Sequence, residues 1–190
     1  MARKTAEEIL QEDPIRGVAV TVEGISPGLL MHRFPEVPVE SFEKLSPEDQ
    51  AELAAYREPQ TQELVIPSVN MQRSLVAAAA YSKGRGRSTL TREVAACLFV
   101  EPAYLSLGTD KIPAIDHRPV VIKATKGRIM RHRPWFPTWR VQFHIEYDSR
   151  LLTEEAIRKI VDDAGQRVGV LDFRPACKGP FGRFRVVEWV

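Results

Sequence analysis

Alternating apolar and polar residues predict the strands of this 190-residue chain. Val18, Val20 and Val22 alternate with other residues, which is the pattern of a strand buried on one face. Residues 139–147 alternate in the same way, whereas residues 94–100 form a fully apolar run that predicts a second strand. The predicted strands are residues 17–23, 94–100, 120–123, 139–147 and 183–190.

Two helices are predicted in the intervals between these strands. The first begins at Ser68, which follows Pro67 and suits the N-cap position, and continues through an alanine-rich run to Gly84. Thr153 caps the second, whose apolar residues have the i, i+3, i+4, i+7 spacing of one buried face. These apolar residues are Ile157, Ile160, Val161 and Ala164.

The order of these elements predicts the fold class. Strand, helix, strand is followed by strand, helix, strand, which is the split βαβ arrangement of ferredoxin-like and RRM-like domains. We therefore expect a single α+β domain over residues 1–190, in which both helices cover one face of an antiparallel sheet. The other face is free for a ligand. Residues 35–63 are interpreted as an acidic insertion, and residues 102–138 as a basic, aromatic hairpin or loop insertion.

The net charge of +2 conceals a strong segregation of charge. Residues 36–63 hold eight acidic residues against Lys44 and Arg57, whereas residues 117–145 hold seven lysines and arginines and no acidic residue. Such asymmetry is typical of a basic surface that binds an anion. The alternative, that these charges only solvate loops, stays open on the sequence alone.

Other classes of protein are not supported by the composition. The chain has no apolar run long enough to span a membrane and no signal-peptide core near its start. Cys97 and Cys177 lack metal-binding spacing, so a reduced, cytoplasmic setting is expected. No cofactor motif or metal motif is present, and we expect neither.

Three segments of the chain resemble a known family. They are Leu-Val-Ile-Pro-Ser-Val-Asn at residues 64–70, Gly-Pro-Phe-Gly-Arg-Phe at residues 179–184, and the opening strand with the turn at residues 24–28. Together they resemble the RAMP superfamily, the ferredoxin-like RNA-binding proteins of CRISPR effector complexes that act in antiviral defence. Ser68 departs from the family pattern, which usually has glycine there. The resemblance implies that the helix start and the glycine loop border an RNA backbone.

Cations, aromatic residues and glycine amides supply the candidate RNA contacts, because single strands are bound through phosphates and stacked bases. Four groups are predicted: Ser68, Asn70 and Arg73 at the helix start; Lys83, Arg85 and Arg87 in the following loop; Lys126, Arg128, Arg131, Arg133 and Trp135 in the second insertion; and Lys178, Gly179, Gly182 and Arg183 in the C-terminal loop. The C-terminal loop is expected to present bare backbone amides to the ligand.

Several of these residues have a structural alternative. Trp139 has the spacing of a core residue, so Trp135 and Phe136 are the better stacking candidates. Arg174 is able to pair with Asp172 and brace the loop, and Phe181 and Phe184 are expected to pack.

Catalysis is not expected, although His32 and His117 are candidates for a general acid or base. His117 follows Asp116, but adjacent residues on a strand point to opposite faces. The resulting hypothesis is a non-catalytic RNA-binding subunit of a CRISPR-type ribonucleoprotein, which holds guide RNA together with copies of itself or other effector subunits. A metal-independent processing endoribonuclease and a phage single-stranded nucleic-acid-binding protein are the alternatives.

Overall fold

The computed structural model describes residues 13–121 and 126–190. It is an α+β structure whose strand pairs are antiparallel. The strands are β1 (Ile15–Gly24), β2 (Leu29–Leu30), β3 (Val65–Pro67), β4 (Leu98–Glu101), β5 (Tyr104–Ser106), β6 (Ala114–Val121), β7 (Arg128–Phe136), β8 (Arg140–Asp148) and β9 (Phe184–Trp189). The helices are α1 (Val39–Phe42), α2 (Pro47–Leu53), α3 (Ser68–Ala78), α4 (Thr91–Cys97) and α5 (Glu154–Asp163).

The main sheet has the strand order β4-β8-β1-β9. β1 lies inside it, in register with β8 from Ile15 opposite Asp148 to Glu23 opposite Arg140. The predicted alternation of residues 139–147 is confirmed, since Phe143 and Ile145 are fully buried. Their face belongs to the same apolar core as α3 and α5.

Local signals at the second helix are also confirmed. The Thr153 side chain accepts a hydrogen bond from the Ala156 backbone N–H at the start of α5. Glu154 and Glu155 lie in its first turn, where negative charge favours the helix dipole. Ile157 and Ile160 are fully buried, as their spacing predicts.

The prediction of a strand over residues 94–100 is wrong in its first half. The segment from Thr91 to Cys97 is helical, and only Leu98 onward is extended. Val94 faces the core while the alanines that follow it are exposed, and alanine has high helix propensity. The apolar run therefore holds a helix and a strand.

Ser68 is not an N-cap, which corrects a second prediction. Pro67 occupies the capping position, and Ser68 is the first helical residue of α3, without a side-chain capping hydrogen bond. Its backbone N–H donates to the carbonyl oxygen of Ala103 at 2.9 Å. The start of α3 is thus stabilised by a backbone hydrogen bond to Ala103, the residue before β5, and not by the Ser68 hydroxyl.

Both predicted insertions contain regular structure. The second contains β6 and β7, a hairpin that joins β2 in a smaller sheet of order β2-β7-β6, and β5, which pairs with β3. Of the strand predicted at residues 120–123, residues 120 and 121 end β6, and residues 122 and 123 lie outside the described residues. The acidic segment forms α1 and α2, and α2 packs on β7.

No helix within residues 13–121 and 126–190 has both the length and the apolar character needed to cross a bilayer.

Candidate nucleic-acid interface

Three adjoining cavities of 340, 170 and 90 Å³ meet at His32. They lie between the β6–β7 hairpin, the segment after β2 and the loop before β9. We call this space the His32 cleft. Its polar lining residues are His32, Tyr56, Asn70, Arg118, Arg131, Arg133, Asp172 and Arg174. The four arginines outnumber the three carboxylates near them, Asp116, Asp172 and Glu43, so the cleft carries a net positive charge.

A buried ion-pair network centred on Arg133 forms one wall of the cleft. Its guanidinium donates to Asp172, and its Nη2 donates to Oδ2 of Asp116 at 3.0 Å. Arg118 donates to the other oxygen of Asp116 at 2.7 Å. Because Asp116 and Arg133 are also direct partners across the hairpin, the network fixes the strand register and ties the hairpin to the C-terminal loop.

Arg131 lies two residues before Arg133 on β7, on the same face of the strand, and also lines the cleft. Its guanidinium lies over the Phe42 ring at 5.3 Å and is 3.9 Å from the Glu43 carboxylate. Its Nη1 is buried and has no hydrogen-bond acceptor within the part of the chain that the structure describes. Part of its capacity to donate is therefore unused.

Arg118 connects the hairpin to two aromatic residues of the loop. Its guanidinium carbon lies 4.9 Å from the centre of the Phe181 ring and 5.6 Å from that of Phe173. Such contacts hold a cation in place without cancelling its charge. Phe181 is buried, as predicted for a packing residue.

His32 lies where the cavities join. Its Nδ1 is 3.8 Å from Oδ2 of Asp172, and its backbone oxygen accepts a hydrogen bond from the Tyr56 hydroxyl at 3.5 Å. Burial lowers the pKa of His32, because the imidazolium loses solvation; Asp172 opposes this shift, and Arg133 and Arg131 add to it.

This lowered pKa makes stability depend on pH. Below about 6.5 the unfolded chain binds a proton at His32 that the folded chain does not, so acid lowers stability until the folded-state pKa is passed. We expect His32→Gln to lose less of its urea-unfolding free energy than the parent between pH 7 and pH 5. His144→Gln, an exposed position on β8, is the control. An unchanged pH dependence in His32→Gln would contradict the assignment.

A neighbouring cavity of 540 Å³ is less suited to an anion. It shares Tyr56 with the cleft and contains Arg33 and Arg57. Arg57 donates to Glu52 at 2.6 Å, and Arg33 donates to Glu36 at 2.8 Å. Both cations are thereby neutralised by adjacent carboxylates.

The predicted RNA contacts fall at separate places on the surface. Asn70 lines the cleft in the first turn of α3, and Arg73 is exposed one turn later on the same side of the helix. Lys83, Arg85 and Arg87 are exposed in a loop that follows α3 and is closed by a bridge between Lys83 and Thr89. Lys126 and Arg128 are exposed at the end of the hairpin, Lys178 is exposed beside the cleft, and Arg183 is half-buried.

Several predicted contacts are instead occupied by the protein itself. Arg133 is 5% exposed and bound to two carboxylates. Trp135 donates its ring N–H to the Pro27 oxygen at 2.7 Å and pairs with Leu30, while Phe136 is buried. Phe136 therefore offers no stacking face, whereas Trp135 is half-buried and its ring is held in place by this hydrogen bond. Trp139 is buried against Phe184, as core spacing indicates.

The expectation of bare backbone amides in the C-terminal loop is wrong. The Gly179 N–H donates to the Arg174 oxygen at 3.0 Å, and the Gly182 N–H donates to the Gly28 oxygen at 2.8 Å. Both glycines lie where a Cβ would overlap backbone, at Phe173 and Val170 respectively. The glycines allow close packing of the chain against itself.

Arg118, Arg174 and Tyr56 are cleft residues that were not among the predicted contacts. Arg174 does not pair with Asp172, the alternative that its sequence position allows; it donates to the Leu171 oxygen at 2.7 Å and lines the cleft. The only sequence signal for Arg118 is its place in the basic run from residue 117. Nothing local indicates Tyr56, since it reaches His32 from the acidic segment.

The two histidine candidates have different surroundings. Asp116 faces the cleft within the arginine network, whereas His117 lies on the other side of the hairpin with its Nδ1 2.7 Å from Nδ1 of His132. Of the two catalytic candidates, His32 and His117, it is His32 that lines the cavities.

Comparison with known proteins gives no assignment, because no family model and no curated protein matches this chain.

Proposed function

We propose that this protein is a ferredoxin-like, RAMP-type protein that binds single-stranded RNA without cleaving it. The fold part of the proposal is supported by the order β4-β8-β1-β9, with α3 and α5 entering the same core. This is the arrangement that a split βαβ unit gives when its two halves pair through β1 and β8. Participation in a CRISPR-type ribonucleoprotein, with guide RNA and further subunits as partners, rests on the sequence resemblance.

The observation that carries the binding proposal is the positive His32 cleft at the start of α3. Arg118, Arg131 and Arg174 line it together with Asn70. From there the exposed side of α3 leads past Arg73 towards the loop of Lys83, Arg85 and Arg87. α3 contains 11 residues, so these two basic regions are separated by about 17 Å of helix. Cations at both ends of such a path suit a flexible polyanion.

The open face of the main sheet is a poorer RNA platform. Arg140 and Arg185 lie there, but each is close to a glutamate: Arg140 is 3.8 Å from Glu188, and Arg185 is 3.6 Å from Glu23. Phe99 is half exposed, and the strand neighbours on this face are largely polar or acidic. Balanced charge and few aromatic faces favour neither phosphates nor bases.

Introducing a carboxylate into the cleft tests its role. We expect Asn70→Asp to weaken binding of a fluorescein-labelled single-stranded RNA by about tenfold or more, because like charges repel at close range. An acid in the first turn of α3 suits the helix dipole, so the fold is preserved. Val69→Asp is the matched control, since Val69 is 55% exposed in the same turn and does not line the cleft. Equal affinities for both variants would refute the cleft as the RNA site.

The salt dependence of binding tests the loop after α3. For a single strand, each phosphate that the protein no longer neutralises reduces the slope of log K against log salt by about 0.7. We expect Arg85→Ala with Arg87→Ala to flatten this slope, and Arg140→Ala with Arg185→Ala to leave it unchanged. A slope that is flattened by the Arg140 and Arg185 changes, and not by the Arg85 and Arg87 changes, would place the RNA on the open sheet face.

Competition between RNA and DNA tests the third candidate. Tighter binding of single-stranded DNA would favour the phage single-stranded nucleic-acid-binding protein over the RNA-binding protein.

The position of His32 supports a second candidate, a metal-independent endoribonuclease. A histidine of lowered pKa that lies in a cavity beside Asp172 and Tyr56 has the surroundings of a general base. This candidate requires RNA cleavage in the presence of a chelator and its loss in His32→Ala. RNA that remains intact when bound supports the non-catalytic function.

A further inference from the structure

His117 and His132 form a pair on the side of the hairpin that faces away from the His32 cleft. They are direct partners in the register of β6 and β7. Their Nδ1 atoms are 2.7 Å apart, and their rings meet edge to face with centres 4.9 Å apart. His117 is exposed and His132 is half-buried, so ions in solution have access to both.

The two imidazoles are held by structure on the opposite side of the same strands. Asp116 and Arg133 are the next pair along the ladder, and their buried ion pair fixes the register one residue away from the histidines. Arg118, on the other side of His117, is also bound to Asp116. A pair of ligands that is fixed before binding loses little conformational entropy when a metal ion binds.

The nitrogen separation matches one kind of coordination. Two imidazole nitrogens about 2.05 Å from a metal are about 2.9 Å apart when they are adjacent at a right angle, and about 3.3 Å apart in a tetrahedron. The observed 2.7 Å is closer to the right-angled arrangement, which Cu²⁺ and Ni²⁺ adopt. The two Nδ1 atoms share a hydrogen bond in the structure. In the metal-bound form its proton lies on Nε2 of the same ring, and both rings turn so that their Nδ1 lone pairs point at the ion.

We propose that His117 and His132 form a binding site for a divalent transition-metal ion of the Ni²⁺ and Cu²⁺ class. Across residues 13–121 and 126–190 no cluster of three or more histidine, cysteine or acidic ligands is present. The protein therefore supplies two nitrogens, and water fills the other positions. Glu48 lies close enough to act on the charge of His132 and adds negative potential at the site. A bound ion links β6 to β7, the strands that carry Arg118 and Arg131.

Calorimetric titration of the full chain with Ni²⁺ tests this site. Either His117→Ala or His132→Ala is expected to weaken Ni²⁺ binding by about tenfold or more, the loss that follows removal even of an outer-shell partner. His144→Ala is the control, because His144 is exposed on β8 without a histidine partner in the strand register. Binding that survives in the double variant, or that falls equally in His144→Ala, overturns the proposal.

A second measurement does not depend on any variant. The electron paramagnetic resonance spectrum of the parent protein with one equivalent of Cu²⁺ should show hyperfine coupling to two equivalent imidazole nitrogens. A spectrum with one nitrogen, or that of free aqueous Cu²⁺, also overturns the site.

Discussion

Replacing Arg133 with alanine is expected to lower the free energy of unfolding by about 3–5 kcal/mol, the usual result of breaking a buried ion pair from one side. The Arg133 side chain is 6% exposed and binds Asp116 and Asp172 together. Among the described residues, its removal leaves the Asp116 carboxylate, which is 8% exposed, with Arg118 as its remaining partner. The loss should appear as a lower urea midpoint at pH 7.

Arg118→Ala is the matched control for this prediction. Arg118 pairs with the same carboxylate, but its side chain is 37% exposed, so water compensates for much of the missing interaction. We expect a loss of about 1 kcal/mol. Equal losses in the two variants would show that Arg133 does not hold the hairpin to the loop.

Gly182→Ala is expected to destabilise the protein by about 3 kcal/mol or more, since it combines backbone strain with a steric overlap. Gly182 has a φ of 68°, where other residues are strained, and its added Cβ would overlap the carbonyl oxygen of Val170. The overlap cannot be relieved locally, because Gly182 accepts a hydrogen bond from the Val170 N–H and donates one to Gly28. Thermal and urea unfolding would both report the loss.

Gly86→Ala separates strain from overlap. Gly86 has nearly the same φ, 66°, but nothing lies within 4 Å of a Cβ built there. We expect it to cost about 1 kcal/mol, the strain alone. If Gly182→Ala were no more harmful than Gly86→Ala, the C-terminal loop would not be a tightly packed element.

The close packing of the C-terminal loop differs from the interpretation that its sequence favours. Glycines next to cations indicate an anion-binding turn, and that pattern predicts free amides. The amides of Gly179 and Gly182 are instead hydrogen-bonded to Arg174 and Gly28. Glycines in a sequence indicate that the backbone is closely approached by another group, but they do not show whether that group is a ligand or another part of the chain.

The same limit applies to the cations of the hairpin. Arg131 and Arg133 are equivalent in the sequence, two residues apart in a basic run. The structure binds Arg133 to two carboxylates at hydrogen-bond distance, whereas the nearest carboxylate to Arg131, that of Glu43, lies 3.9 Å away. The partners that decide this are distant: Asp172 is 39 residues from Arg133 along the chain, and Asp116 is 17 residues away.

Features that depend on a few neighbouring residues were determined by the sequence itself. Alternation in β1 and β8, the Thr153 cap and the buried side of α5 all follow from spacings of two to four residues. The separation of acidic from basic segments is likewise evident from the sequence. Tertiary structure alone decided which arginines of the hairpin are neutralised, and that His32, Asn70 and Arg174 share one cleft. Those outcomes depend on contacts between segments that are far apart in the chain. The free energies of such contacts cannot be inferred from patterns of a few neighbouring residues.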